Sequence, residues 1–279
     1  MGSVFSPYYA WARARQGGAV DPENHVCINV ALYGQGGHRW AMTERGRAGL
    51  SRSHDHFSVG PSHLRWTGSH LELQFDEREC PWPRRLRGKV LIHPRSFTSF
   101  ETNLDEGGRH RWGPIAPCAR VELELADGRL AWKGSGYVDA NSGDEPIERP
   151  FRLWDWSRAA FADDRTAVMY DVRARSGRDR VISRLFHPDG RSEPLEVPPR
   201  QELPRTAWRL CRSTRSEASG PPARVTQTLE DTPFYVRDVL SSTLMGQTVT
   251  SVHETLDTNR LRAWPVRMML PFRMPRRRG

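Results

Sequence analysis

The chain has 279 residues, of which 37% are hydrophobic, and it carries a formal net charge of +9. It contains no apolar run of about 18 residues, the length that a transmembrane helix needs, and no charged–apolar–small leader opens it, so we expect a cytoplasmic protein. Forty of its 42 basic residues are arginines. Most of them are spread among acidic neighbours rather than clustered beside aromatic residues, which argues against nucleic acid as a partner.

Short strand signals, separated by turn residues, run along most of the chain. In chain order the predicted strands are residues 63–66, 70–75, 89–93, 119–125, 130–138, 168–173, 181–186, 224–229, 234–240 and 248–255. The turn Asp127-Gly128 makes residues 119–138 a strong hairpin prediction. Helical periodicity is poor, and only residues 157–163 predict one or two helical turns. Strands at roughly ten-residue spacing favour an all-β sandwich or barrel.

The pattern changes near residues 150–163, where glycine-rich motifs give way to a second series of strands. We therefore predict two domains. Residues 1–150 form an N-terminal β domain that carries the chemical motifs, and residues 151–279 form a C-terminal β domain.

The cysteines are widely spaced and form no Cys-x-x-Cys pair. This spacing predicts reduced thiols in a cytosolic protein rather than disulfides. The cysteines are Cys27, Cys80, Cys118 and Cys211.

The side chains that could take part in a reaction occur as two pairs, and the members of each pair are two residues apart. In a strand, residues two apart point to the same face, so His110 and Trp112 would share one face, and Tyr137 and Asp139 another. Together these pairs bring one carboxyl group, one imidazole and two aromatic rings onto two nearby strands. Such a set could protonate an apolar group and stabilise the cation that results.

Asp139 is the leading candidate for the acid. One interpretation is an Asx-turn that closes the strand, since Asn141 and Gly143 follow shortly after. The other is an inward-pointing carboxyl group, whose pKa burial would raise until it stays protonated near neutral pH.

The aromatic candidates have structural alternatives. Tyr137 and Trp112 either pack in a core or face a cation, which an indole stabilises by about 2 kcal/mol in the absence of water. Trp154 and Trp156, also two apart, either pack in a core or bind substrate; we assign them to substrate binding. His110 would act as a base or orient a water molecule.

Other polar groups carry weaker signals. His54-Asp55-His56 looks like part of a metal site, but a third ligand at fixed spacing is missing and an exposed loop fits better, so we predict no metal. The acid–base candidates without spacing support are Glu44, Glu230, Asp231 and the pair His253-Glu254.

The basic residues cluster only at the C-terminus. The residues concerned are Arg273, Arg276, Arg277 and Arg278. They form either a solvated tail or a peripheral contact with an anionic membrane surface.

Taken together, the motifs resemble those of the carotenoid 1,2-hydratase (hydroxyneurosporene synthase) family of photosynthetic bacteria, and they cover nearly the whole chain. The words that carry the resemblance are GSVFSPYYAWAR (2–13), NVALYG (29–34), WAMTERG (40–46), HRWGPIAP (110–117), GYVDAN (136–141), LEDTPFY (229–235) and MLPFRMP (269–275).

The resemblance implies two linked lipocalin-like β domains and a hydro-lyase. Its substrates would be acyclic carotenoids such as neurosporene and lycopene, and water would add across their terminal double bond without a redox or metal cofactor. The resemblance places the catalytic acid on Asp139 and the supporting residues on His110, Trp112 and Tyr137. It also implies a cytoplasmic protein at the surface of the inner or photosynthetic membrane.

One departure from the family affects the expected activity. Relatives carry an aromatic-rich segment before the first of these words, whereas this chain begins at Met1 directly before it, so the first domain is expected to be incomplete. Two alternatives therefore stay open. One is a lipocalin-like carrier that binds a carotenoid or another lipid without catalysis, and the other is a different reaction, of the pericyclase type, on the same fold.

Overall fold

The structure is a computed structural model that describes residues 5–17, 20–34 and 38–277. Arg278 of the basic tail lies outside these residues. Contacts group the chain into two compact units, unit 1 with residues 1–93, 120–134 and 264–279, and unit 2 with residues 94–119 and 135–263. Each unit thus gathers several segments of the chain. The predicted domains, residues 1–150 and 151–279, stay a prediction.

Unit 1 is built mainly from short antiparallel strands and two helices. Its elements are α1 (Pro7–Gln16), β1 (Val26–Leu32), β2 (Arg39–Arg45), β3 (Leu50–Arg52), β4 (His56–Val59), β5 (Ser62–Trp66), β6 (Leu71–Arg78), β7 (Arg85–Pro94), α3 (Trp264–Arg273) and β20 (Arg276–Arg277). Strands β3 to β7 follow one another in sheet order, and β20 pairs in parallel with β2.

Alternation of apolar residues builds the core of unit 1. Val26, Ile28 and Val30 lie two apart on β1 and pack with Phe75 in one buried cluster. Gly88 is required there, because a Cβ atom at this position would lie 2.6 Å from the Phe75 ring. The predicted strands at residues 63–66 and 70–75 are confirmed as β5 and β6, which pair in antiparallel fashion.

Unit 2 contains the remaining strands and a short helix. Its elements are β8 (Thr102–Asn103), β9 (His110–Leu125), β10 (Ala131–Gly143), β11 (Phe151–Ala160), β12 (Thr166–Ala174), β13 (Arg180–Phe186), β14 (Ser192–Pro194), β15 (Arg200–Leu203), β16 (Arg212–Arg215), β17 (Arg224–Asp231), β18 (Tyr235–Leu244), β19 (Gln247–Asp257) and α2 (Thr258–Arg262). The ends of β9 and β10 nearest their connecting turn belong to unit 1.

A seven-stranded antiparallel sheet dominates unit 2, in the order β14-β13-β12-β11-β19-β18-β17. Central strand β11 alternates strictly: Leu153, Asp155 and Ser157 are buried on one face, while Trp154 and Trp156 are half-buried on the other. The prediction of a helical turn at residues 157–163 is wrong, because this period-two alternation continues through Ala160.

The all-β prediction is confirmed, and the predicted strands at residues 168–173, 181–186 and 248–255 lie within β12, β13 and β19. All four cysteines are free thiols, as predicted. The α-helices α1, α2 and α3 of the described residues were not predicted, because they are short and none shows a clear apolar stripe. None of the helices in the described part of the chain is long and apolar enough to cross a membrane.

Candidate active site

One carboxyl group in unit 2 is held by two neutral donors. The indole Nε1–H of Trp112 donates to Asp139 Oδ2 at 2.8 Å, and the Tyr137 hydroxyl donates to the same oxygen at 3.2 Å. Asp139 and Tyr137 therefore share one face of β10, as period two predicts. The strand continues four residues beyond Asp139, so the Asx-turn interpretation, in which the strand closes at this residue, does not describe it. Because both donors use Oδ2, the proton of the neutral acid belongs on Oδ1.

The environment favours the protonated form of this acid. Burial raises the pKa of Asp139 above its ordinary value, and the negative charge of Glu254 raises it further. The bonds from Trp112 and Tyr137 act in the opposite direction, because they stabilise the carboxylate, but burial outweighs them. Burial and the Asp139 charge also raise the pKa of Tyr137 well above its ordinary value, so its phenol stays a neutral donor.

Aromatic rings surround the acid and its donors. Trp112 meets Tyr170 edge to face, with ring centroids 5.7 Å apart, and Tyr170 meets Trp154 in the same way at 6.1 Å. The Tyr137 ring packs on Trp156 at 5.5 Å. Trp112 is fully buried and Tyr170 is 3% exposed, so the group forms a packed apolar wall.

Strand register explains why these rings meet. Trp156 lies directly opposite Tyr170 on β12 and directly opposite Glu254 on β19. Residues opposite each other in antiparallel strands point to the same face of the sheet. The predicted substrate-binding residues Trp154 and Trp156 therefore share a face with Tyr170 and Glu254. The structure brings both tryptophans into contact with rings that touch the acid's donors.

His110 lies two residues from Trp112 on the same buried face of β9, as predicted. Its Nε2 atom is 2.9 Å from the carbonyl oxygen of Glu145 and donates to it, which leaves a lone pair on Nδ1 in the neutral ring. Nδ1 lies 3.8 Å from Asp105 Oδ1. His110 thus contacts Glu145 after β10, Asp105 before β9 and the Phe151 ring, whose centroid is 5.0 Å from that of the imidazole.

Gly143 and Arg158 complete the surroundings of the predicted residues. A Cβ atom on Gly143 would lie 2.6 Å from the His110 ring, so the end of β10 packs directly against the imidazole. The Arg158 guanidinium lies 5.5 Å from the centre of the Tyr137 ring, and its Nη2 atom donates to the Ser135 hydroxyl. Tyr137 therefore already contacts one cation of the protein.

Sequence reasoning missed Tyr170 and Arg158 entirely. Tyr170 ends a run of buried residues on β12, and Arg158 lies on the alternating strand β11. Neither position carries a chemical signal in the sequence, and only the pairing of β11 with its neighbours places them beside the acid. The sequence analysis named Glu254 only as part of the pair His253-Glu254, for which no spacing pattern indicated a function. The structure separates that pair: neighbouring strand residues point to opposite faces, and His253 lies near Asp155 on the other side of the sheet.

The remaining sequence candidates lie elsewhere. Glu44 is fully buried in unit 1, where its carboxylate contacts Ser6, His25 and Arg276. In the segment His54-Asp55-His56 the first two residues are exposed, and His56 is half-buried and begins β4. Among the residues that the structure describes, no group of three or more His, Cys, Asp or Glu side chains is arranged to hold a metal ion.

The fold and the site define a class of protein: an all-β protein that holds a shielded carboxyl group among aromatic rings. A neutral carboxyl group in such surroundings can transfer a proton to an apolar partner, because little water competes for the proton. The same rings can stabilise a positive charge that forms beside them.

Comparisons with known proteins agree with this class. The family described as Carotenoid hydratase CrtC matches residues 1–279. An acyclic carotenoid 1,2-hydratase from Rubrivivax gelatinosus is 57% identical over 99% of this chain and 68% of its own length. The enzyme of the same name from Cereibacter sphaeroides is 40% identical over the whole chain and 97% of its own length.

A solved structure supports the fold alone. The crystal structure of a Nitrosomonas europaea protein, provisionally assigned as AttH, superposes with a TM-score of 0.60 at 13% identity, over 84% of this chain and 81% of that chain. This likeness confirms the expected lipocalin-like architecture. The chain belongs to the carotenoid hydratase family and is a hydratase, that is, a hydro-lyase.

Proposed function

We propose that this chain adds water across the terminal C1–C2 double bond of acyclic carotenoids such as neurosporene and lycopene, with Asp139 as the proton donor. Hydratases named for this reaction are 40–57% identical to it over nearly its full length. The observation that carries the assignment of the acid is the pair of neutral donors, Trp112 and Tyr137, on one oxygen of a carboxyl group whose pKa burial raises.

The reaction begins with proton transfer from Asp139 Oδ1 to the less substituted alkene carbon. The alkene π electrons form the new C–H bond, and a tertiary carbocation remains at the neighbouring carbon. Trp112 and Tyr137 stabilise the carboxylate that this step creates, since hydrogen bonds to a charged acceptor are stronger than those to a neutral one.

The aromatic rings support the cation and the polyene. Trp112 and Tyr137 face the positive charge in this proposal, although Tyr137 also contacts Arg158. Trp154 and Trp156, on the neighbouring sheet face, bind the hydrocarbon chain through their apolar surfaces.

Water then attacks the cation, and a lone pair of its oxygen forms the C–O bond. The proton that the oxygen loses returns to the Asp139 carboxylate or passes to Nδ1 of His110, the nitrogen that keeps a lone pair. In the first case the acid is regenerated directly. The sum is alkene plus water giving a tertiary alcohol, without oxidation or reduction.

Co-expression with a lycopene-producing pathway tests this function. The expected product is a 1-hydroxy carotenoid whose oxygen comes from isotope-labelled water. Tight carotenoid binding without this product would instead indicate a carrier, and a rearranged product without added water would indicate the pericyclase-type alternative.

The variant Asp139→Asn tests the acid. An asparagine has nearly the same shape, and its amide oxygen can still accept from Trp112 and Tyr137, but it cannot donate an acidic proton. Hydration should fall by orders of magnitude while the fold remains. Asp189→Asn, a matched change of an exposed carboxylate, should leave turnover unchanged. Near wild-type turnover in Asp139→Asn would remove Asp139 from the acid role.

We also propose a peripheral contact between the C-terminal region of unit 1 and an anionic membrane surface. Helix α3 buries none of its residues, and Trp264 and Phe272 are each 75% exposed. Residues 264–279 contain five arginines and no acidic residue. Exposed tryptophan and phenylalanine combined with positive charge suit the lipid headgroup region.

Sedimentation with lipid vesicles tests this contact. Binding should be strong with anionic vesicles, weak with neutral ones, and reduced in the double variant Trp264→Ala/Phe272→Ala. Equal binding of the wild type to both lipids, or none to either, would refute the proposal. The localisation at a photosynthetic membrane depends on this result, and the exclusion of nucleic acid stays a prediction.

A further inference from the structure

Glu254 is an acidic side chain that shares the sheet face of Trp156 and Tyr170, and its charge acts on the Asp139 acid. It lies directly opposite Trp156, whose ring packs on Tyr137, and the Tyr137 hydroxyl is bonded to Asp139. The acid and this second carboxylate are therefore connected through two aromatic side chains. The catalytic steps above give Glu254 no role.

A cation holds the Glu254 carboxylate in place. Arg237 lies directly opposite it on β18, with Nη2 at 2.6 Å and Nε at 2.9 Å from Oε1. The side chains of Arg237 and Glu254 are only 30% and 23% exposed. This ion pair holds the Glu254 carboxylate, and its negative charge, on the acid's side of the sheet.

We propose that Glu254 is a positioning residue whose negative charge adds to burial in favouring the protonated, proton-donating form of Asp139. This inference rests on the proposed function, because it concerns the same acid. An unperturbed aspartic acid, with a pKa near 3.9, is protonated in only about one molecule in a thousand at pH 7. A nearby like charge opposes its ionisation and increases that fraction about tenfold for each unit by which the pKa rises.

The other groups around the acid do not supply this effect. Trp112 and Tyr137 donate to the carboxylate and favour its ionised form. Tyr170 is a neutral phenol, since burial raises its pKa well above the ordinary value. The arginines on this face, among them Arg158, Arg184 and Arg237, carry charges of the sign that favours ionisation. Glu230 lies opposite Arg237 and shares the face, but it is two strands further from Trp156 than Glu254 is. Glu254 is thus the nearer carboxylate on this face, and its charge raises the pKa of Asp139, the direction that the reaction needs.

The variant Glu254→Gln tests the inference through the pH profile of kcat/KM. Activity requires protonated Asp139, so it falls as pH rises through the pKa of this group. Removal of the Glu254 charge, which leaves Arg237 uncompensated, should move that falling limb to lower pH by about one unit. At pH values above the pKa of Asp139 in the wild type, kcat/KM should then decrease about tenfold, while on the acidic plateau it should change less.

Two further variants make the result specific. Glu254→Asp keeps the charge and should retain the wild-type limb, even if its maximal rate is lower. Glu202→Gln, an exposed carboxylate on β15, is a matched control and should change neither limb nor plateau. If the pH at which kcat/KM falls is the same in Glu254→Gln as in wild type, the inference is overturned, even if the rate is lower at every pH. That result would indicate a structural or water-activating role for Glu254.

A direct titration separates this inference from the proposed function. Isotope-edited infrared spectroscopy of the Asp139 carboxyl group reports its protonation whether or not the protein turns over substrate. A lower midpoint in Glu254→Gln than in wild type supports the inference, and equal midpoints refute it. Failure of the proposed function would appear separately, as a wild-type protein that forms no hydroxylated product.

Discussion

The substitution Tyr137→Phe removes a single oxygen atom from the candidate site. The ring that packs on Trp156 at 5.5 Å and lies beside Arg158 is kept, so the fold should change little. What is lost is the hydrogen bond from the hydroxyl to Asp139 Oδ2. A hydrogen bond to a charged acceptor contributes about 1.5–3 kcal/mol, and the 3.2 Å distance is at the long end of the normal range.

We therefore expect a loss of about 1.4 kcal/mol of carboxylate stabilisation, which corresponds to about one pKa unit. The pKa of Asp139 should rise by this amount, because the remaining environment favours the neutral acid. Two consequences follow for hydration of an acyclic carotenoid. The falling limb of the pH profile should move about one unit to higher pH, and the rate on the acidic plateau should decrease about tenfold because Asp139 becomes a weaker acid.

The assay is the initial rate of hydroxy-carotenoid formation across the pH range, with thermal unfolding measured in parallel. The direction of the shift is the decisive quantity, since Tyr137→Phe and Glu254→Gln should move the limb in opposite directions. A limb that stays in place or moves to lower pH in Tyr137→Phe would refute the assignment of this hydrogen bond to the ionised acid.

Three other substitutions have defined outcomes. Gly143→Ala should lower activity and destabilise the fold by about 1–3 kcal/mol, because the new methyl group overlaps the His110 ring; activity assays and urea unfolding measure both. Glu44→Gln should lower the free energy of unfolding by about 3–5 kcal/mol, because it leaves the Arg276 guanidinium without its buried carboxylate. Asp139→Asn should raise the melting temperature at pH values above the raised pKa of Asp139, because ionisation of the buried wild-type carboxyl group destabilises the fold there. At pH values below the ordinary pKa of an aspartic acid, where the carboxyl group is protonated in both the folded and the unfolded chain, this gain should be absent.

Each of these substitutions has a matched control. Gly34→Ala meets no atom within 4 Å and should be neutral for activity and stability. Glu202→Gln and Asp189→Asn change exposed carboxylates and should leave unfolding unaltered. An equal loss of stability in Glu202→Gln and Glu44→Gln would contradict the buried ion pair, and a pH-independent change in Asp139→Asn would contradict the raised pKa.

Local patterns in the sequence were sufficient for the strands. Strand signals between turns predicted β12, β13 and β19 within a few residues, and period two correctly paired Tyr137 with Asp139 and His110 with Trp112. These features depend only on neighbouring residues and backbone geometry. The family resemblance, read from motifs spread over the chain, predicted the hydratase class that the comparisons confirm.

Other features depend on contacts that no local pattern encodes. The helical turn predicted at residues 157–163 is the end of β11, because pairing with β12 and β19 extends the strand. The short helices α1 and α3 lack a clear apolar stripe and gave no signal. The roles of the candidate acid, His110 and the two tryptophans remain proposals, for which geometry now supplies specific tests.

The amino-acid sequence by itself determined the all-β class, the order of most strands and which side chains share a face, since all of these follow from period two along single strands. Only the tertiary structure decided which faces meet. Register placed Tyr170 and Glu254 opposite Trp156, and the approach of Trp112 and Tyr137 to one oxygen of Asp139 created the acid's environment. The physical reason is that desolvation and charge act through space, between residues far apart in the chain.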